Sequence, residues 1–202
     1  MIYTGVVFDL GGVVLESPLH AIDGFERAHG LPPGLVNRTI AAAGADGAWA
    51  RLERGEISGQ PFHRALAGEI ASAGYQVDTV ALMEAVRSAL RVRPGMLRAV
   101  DRLREEGFAV AACTNNWEPF GPGLVGRFDV FVESVAEGTR KPEPGMYEIL
   151  LGRLGLPAPE LVMLDDLGVN LRAARALGMT TIKVDDPEQA LTELGHLLAI
   201  RI

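Results

Sequence analysis

The chain has 202 residues, 48% of them hydrophobic and 22% charged, with a net charge of -7 and a pI of about 5.1. Its mean hydropathy is only +0.17, and no apolar run approaches the roughly 20 residues of a membrane span, so no membrane-spanning helix is expected. The acidic balance and the scattered arginines, without a Lys/Arg block, argue against nucleic acid and against an anionic membrane surface as partners. Cys113 is the only cysteine, so no intramolecular disulfide can form. No basic segment followed by a long apolar run opens the chain, and a cytoplasmic location is expected. A small anionic substrate remains compatible, because a few local cations or a metal overcome the global charge.

From the N-terminus, Ile2 to Leu10 is rich in β-branched and apolar residues, contains Asp9, and meets the turn signal Gly11-Gly12. This pattern predicts a buried strand that delivers an aspartate to a loop. From about Ser17 to Leu90 apolar residues recur at helical spacing, as in Ala65, Leu66, Glu69, Ile70 and again in Leu82, Ala85, Val86, Ala89. No strand is expected there, and Pro94-Gly95 closes the stretch. A helix follows with Met96, Leu97, Val100 and Leu103 on one face and Gly107 at its end. Strands are predicted at Phe108 to Cys113, Phe128 to Val132, Leu161 to Leu164 and Thr180 to Val184. Helices are predicted at Gly145 to Leu154, Leu171 to Leu177 and around Leu191 to Leu198.

Strands alternating with helices imply an α/β fold, a Rossmann-like doubly wound parallel sheet buried on both faces. Residues 17–90 form a helical insertion after the first strand, dividing a core of residues 1–16 and 91–202. Such sheets bind ligands beyond the carboxyl ends of their strands. The polar residues expected there are Asp9, Thr114, Asn115, Asn116, Asp165 and Asp166, with Lys141 ahead of a helix N-terminus. Grouped carboxylates need cations. A hard divalent ion such as Mg²⁺, helped by Lys141, would explain them.

Four segments, VVFDLGGVV, ACTNNW, RKPEPGMYEILL and VMLDDLGVNLRAARALGM, resemble in order the motifs of the haloacid dehalogenase (HAD) superfamily. The likeness extends through RLERGEIS and ALTEL and is strongest to the branch containing the phosphatase domain of bifunctional soluble epoxide hydrolase and bacterial sugar-1-phosphatases. It implies a Mg²⁺-dependent phosphatase acting on a small phosphorylated substrate. Asp9 would be the nucleophile and Lys141 would stabilise charge on nucleophile and phosphate. Thr114 and Asn115 would bind the phosphoryl oxygens. Asp9, the Gly11 backbone carbonyl and Asp166 would hold the metal, with Asp165 and Asn170 in support. The helical insertion would be a cap over the site.

One position departs from the pattern. Superfamily phosphatases usually carry an acid–base aspartate two residues after the nucleophile, and here that residue is Gly11. General acid–base catalysis is worth about 10²–10⁴-fold. The expectation is a slow enzyme, one favouring good leaving groups, or one recruiting an acid from the insertion. Competing readings are a haloacid dehalogenase, against which Asp165-Asp166 argues, a phosphomutase, and a phosphate-binding module without turnover. Elsewhere Cys113 reads as a packed strand residue and Trp49 and Trp117 as packing. Arg51 and Arg54 read as a solvated charged turn, and the four histidines lack metal-ligand spacing.

Overall fold

The computed structural model describes residues 3–202; Ile2, the first residue of the first predicted strand, lies outside them. The strands are β1 (Gly5–Phe8), β2 (Ala109–Thr114), β3 (Val130–Glu133), β4 (Leu161–Asp165) and β5 (Thr180–Lys183). They form one parallel sheet in the order β3-β2-β1-β4-β5. The three inner strands are almost wholly buried, whereas edge strand β5 ends in an exposed Lys183. This is the predicted doubly wound sheet.

Alternation along the strands sends side chains into two layers. Val6, Phe8, Val110, Ala112, Val162 and Leu164 pack with α6 (Pro94–Glu105) and α11 (Pro187–Leu198) through Met96, Val100, Leu103 and Leu194. Val7, Ala111, Cys113, Leu161 and Met163 pack with α9 (Pro144–Leu154) and α10 (Gly168–Ala176) through Met146, Tyr147, Leu150 and Ala174. Cys113 is therefore core, as the sequence suggested.

Between β1 and α6 lie five helices, α1 (Pro18–Ala28), α2 (Leu35–Ala43), α3 (Ala48–Glu53), α4 (Gly59–Ser72) and α5 (Thr79–Ala89). Their apolar faces close on a separate cluster containing Ile22, Phe25, Trp49, Phe62, Leu66, Ile70, Leu82 and Val86. Burying each such side chain contributes about 1.5–3 kcal/mol, which offsets the ordering of these short helices. The Asp78 carboxylate starts α5 by accepting from the Val80 and Ala81 amides at 3.0 Å. Two short helices, α7 (Pro122–Val125) and α8 (Ser134–Glu137), flank β3 where the sequence carries too few residues for a periodic signal. Among the described residues no helix is long and apolar enough to cross a membrane.

Register and strand order position the site. Phe8 pairs with Ala112 on one side and Leu164 on the other, so Asp9 comes next in line with Cys113 and Asp165. The chain runs outward from β1 to β3 and then returns to the other side of β1 as β4. The crevice at that reversal opens over Asp9.

Candidate active site

Asp9 leaves β1 with its amide donating to the Leu164 carbonyl at 2.9 Å. Its Oδ1 accepts from the Leu10 amide at 2.6 Å and from Lys141 Nζ at 2.9 Å. Lys141 Nζ also donates to Asp165 Oδ2 at 2.7 Å, and the lysine side chain is wholly buried. Asp165 is saturated: Oδ1 accepts from the Leu167 amide (2.8 Å) and Asn170 Nδ2 (3.0 Å), and Oδ2 from Lys141 and Asn170. Asp166 is half-buried beside them, and ligand oxygens of Asp9, Asp165 and Asp166 all lie within 4.8 Å of one another.

Such crowding perturbs the acids. Burial, augmented by the Asp165 and Asp166 charges and opposed by Lys141, pushes the Asp9 carboxyl up to about 8. Burial and Asp165 raise Asp166 to about 6. Burial alone would pull the Lys141 ammonium down, but Asp165 and Asp9 outweigh it and hold the ammonium well above its ordinary range. The cluster thus carries more negative charge than one lysine satisfies. All the donors are oxygens, which suits a hard divalent cation.

Two glycines shape the loop after Asp9. Gly12 adopts a φ of +80°, and a Cβ there would overlap the Asp166 carboxylate, so only glycine lets Asp166 pack against this turn. Arg93 Nη1 fixes the same turn by donating to the Gly12 carbonyl at 2.7 Å. Gly11 is not in the left-handed region, and a Cβ there would lie 3.3 Å from Pro18 Cδ.

The other expected residues also converge. Thr114 is buried at the end of β2, and its hydroxyl makes only a long 3.5 Å contact to the Asn115 carbonyl, so it stays available to a ligand. The Asn115 side chain instead brackets the Lys141 backbone: Oδ1 accepts from the Lys141 amide at 2.8 Å and Nδ2 donates to its carbonyl at 3.0 Å. Asn170 is buried behind Asp165.

Sequence reading missed the contribution of α3. The buried Glu53 accepts from Trp49 Nε1 at 3.0 Å, Arg140 Nε at 2.5 Å and Asn115 Nδ2 at 3.4 Å. Burial raises its carboxyl against the pull of Arg140. Arg54 is not a solvated turn residue. It is largely buried and donates to Glu143 at 3.1 Å and to the Ala45 carbonyl at 2.8 Å, because acceptors from two segments converge on it. Trp49 and Trp117 pack edge to face, 5.8 Å between ring centres.

Two clefts meet at Gly11, Pro18, Asn115 and Trp117. One, about 240 Å³, has Asp9, Lys141, Arg140 and Asp166 at its floor and Leu19, Ile22 and Ile40 on its wall. The other, about 300 Å³, is mainly apolar, lined by Leu15, Leu90, Trp117, Pro119 and Phe120.

A parallel sheet with Asp9, Lys141 and an acidic pair at its carboxyl edge is the architecture anticipated from the motifs, and the family follows: residues 3–178 match the haloacid dehalogenase-like hydrolases, and the chain belongs to that family. It is 37% identical to acyl-CoA dehydrogenase family member 10 of Mus musculus over 97% of this chain, which spans only 19% of that protein. It is 29% identical to a sesquiterpene phosphatase of Aspergillus oryzae over 97% of both chains. Among solved structures, a HAD family enzyme of Bacteroides thetaiotaomicron in complex with magnesium and inorganic phosphate matches with a TM-score of 0.63 at 20% identity, covering 90% of this chain and 93% of that one. At that identity the likeness concerns the fold.

Proposed function

We propose that the chain is a Mg²⁺-dependent phosphatase that hydrolyses a small phosphate monoester through an aspartyl-phosphate on Asp9. The observation that carries this reading is the arrangement of Asp9 itself. Both of its side-chain bonds fall on Oδ1, from the Leu10 amide and Lys141, which leaves Oδ2 for attack. A buried carboxylate held this way beside a lysine and a second acid pair fits a nucleophile better than a turn residue.

Asp9, Asp166 and the Gly11 carbonyl would hold Mg²⁺, since Asp165 is already saturated by four bonds. The ion supplies positive charge to the phosphoryl oxygens and to the carboxylates that burial otherwise favours protonated. Asp9 Oδ2 attacks phosphorus and the ester P–O bond breaks. The Thr114 hydroxyl and Lys141 stabilise the equatorial oxygens meanwhile. Water then attacks the acyl phosphate, giving inorganic phosphate and restoring the Asp9 carboxylate. The leaving oxygen takes its proton from water, because Gly11 has no side chain to donate one. Good leaving groups are therefore favoured.

The insertion acts as a cap that excludes water from the site and sets specificity. The apolar cleft beside Gly11 supports a substrate with an apolar organic part, as does the name of the Aspergillus oryzae relative. The test is phosphate release from p-nitrophenyl phosphate, acetyl phosphate, sugar-1-phosphates and a prenyl phosphate, with and without Mg²⁺ and with Asp9→Asn as control. Release that needs both Mg²⁺ and Asp9 is expected. No release from any substrate, with EDTA making no difference, would overturn the reading.

A further inference from the structure

We propose that Glu53 is a positioning residue through which the helical insertion holds the segment that carries the catalytic lysine; this rests on the phosphatase reading above. Glu53 belongs to the insertion, 87 residues before Arg140 in sequence. Its Oε2 nevertheless takes both the Arg140 Nε proton and, more loosely, the Asn115 amide. Those two residues are the ones that fix Lys141. Arg140 is its chain neighbour, and Asn115 holds its amide and its carbonyl in one bidentate grip. Lys141 Nζ in turn spans Asp9 and Asp165.

A second tie reinforces the first. Arg54, next to Glu53, reaches Glu143 at 3.1 Å, and Glu143 itself holds the Thr139 hydroxyl at 2.9 Å and the Arg140 amide at 3.2 Å. Two consecutive cap residues thus grip residues 139–143 on both sides of Lys141. The cap also approaches the core too closely for slack: a Cβ at Gly55 would lie 2.8 Å from the Val135 carbonyl.

The three partners of Glu53, the Trp49 indole, the Arg140 guanidinium and the Asn115 amide, are all donors, so its carboxyl oxygens are engaged in holding its neighbours. Removing Oε2 therefore loosens Arg140 and Asn115 together, and with them the backbone on both sides of Lys141.

The test compares wild type, Glu53→Gln and Arg140→Lys, the latter keeping the charge while losing the Nε geometry. For Mg²⁺-dependent release from p-nitrophenyl phosphate, each variant is expected to lower kcat by about 10–100-fold, the range that misplacement of a catalytic group brings. KM and Mg²⁺ affinity should change little, and the melting temperature should fall moderately because a largely buried ion pair is lost. Combining the two variants should cost scarcely more than either alone, because they break one contact. Amide hydrogen exchange read on the same proteins needs no turnover. Glu53→Gln should speed exchange at residues 114–117 and 139–143 and leave β4 and α9 unchanged. Wild-type kcat in both variants, or unaltered exchange in those two segments, would overturn the positioning role. Loss of activity with faster exchange throughout the chain would reduce Glu53 to a folding residue and overturn it as well. A wild type without phosphate release would refute the phosphatase reading, and the exchange pattern would still decide whether Glu53 orders the Lys141 segment.

Discussion

Gly11→Asp supplies the carboxylate that the family resemblance leads one to expect two residues after the proposed nucleophile Asp9, and its outcome can be worked from the local geometry. Gly11 has no left-handed backbone requirement, so an L side chain is tolerated by the main chain. The new Cβ would sit 3.3 Å from Pro18 Cδ, so the first turn of α1 must yield by a few tenths of an ångström. Overpacking of this kind costs about 1–3 kcal/mol at the upper end, and less where the neighbour is at a helix terminus facing a cleft. Against this stands general acid catalysis of about 10²–10⁴-fold, equivalent to roughly 3–5 kcal/mol of barrier. The gain falls on substrates whose leaving oxygen needs a proton. A steady-state series running from acetyl phosphate and p-nitrophenyl phosphate to simple alkyl phosphates separates the two terms. The variant should gain least on acetyl phosphate and most, at least 10-fold, on alkyl phosphates. Equal or lower turnover across the whole series would refute the reasoning that the missing side chain limits the reaction.

Further outcomes follow from the same geometry. Lys141→Met should abolish phosphate release and lower unfolding stability by about 3–5 kcal/mol in urea titrations, because it leaves the Asp9 and Asp165 carboxylates buried without their cation. Gly12→Ala should weaken Mg²⁺ binding at least 10-fold by calorimetry, since the added methyl displaces the Asp166 carboxylate. The raised Asp9 and Asp166 carboxyls bind protons more tightly in the folded than in the unfolded chain. Metal-free stability should therefore fall as pH rises from about 4 through about 6 to about 8. Asp9→Asn should flatten that slope, and Mg²⁺ should raise the melting temperature more at pH 8 than at pH 5.

How much of this was legible in the sequence depends on how far apart the interacting groups lie. The sheet was readable because buried parallel strands are continuous apolar runs: β1 is such a run followed directly by Asp9, and β2 and β4 end in Thr114 and Asp165. Asp9, Thr114 and Asp165 could be brought together on paper because register alone places them, whichever side chains surround them. Lys141 was noticed ahead of a helix N-terminus and took its role from the motif, as nothing local to RKPEP says that a lysine will be enclosed by two carboxylates. Gly12 was visible only as a turn signal; the reason for it, an Asp166 carboxylate against its Cα, lies more than 150 residues downstream. The ties made by Glu53 and Arg54 were beyond reach for the same reason. In RLERGEIS the arginines read as a solvated charged turn, and no local pattern links that turn to Arg140 or Glu143. What joins them is the angle at which the insertion leans on the sheet. That angle is set by Trp49 against Trp117, by the close approach of Gly55 to Val135 and by the Pro18 turn beside Gly11, contacts between segments that share no local pattern. The polar residues of the sheet edge are thus encoded locally, strand by strand, whereas the contacts of the helical insertion with Asn115, Arg140 and Glu143 are encoded only in the tertiary packing.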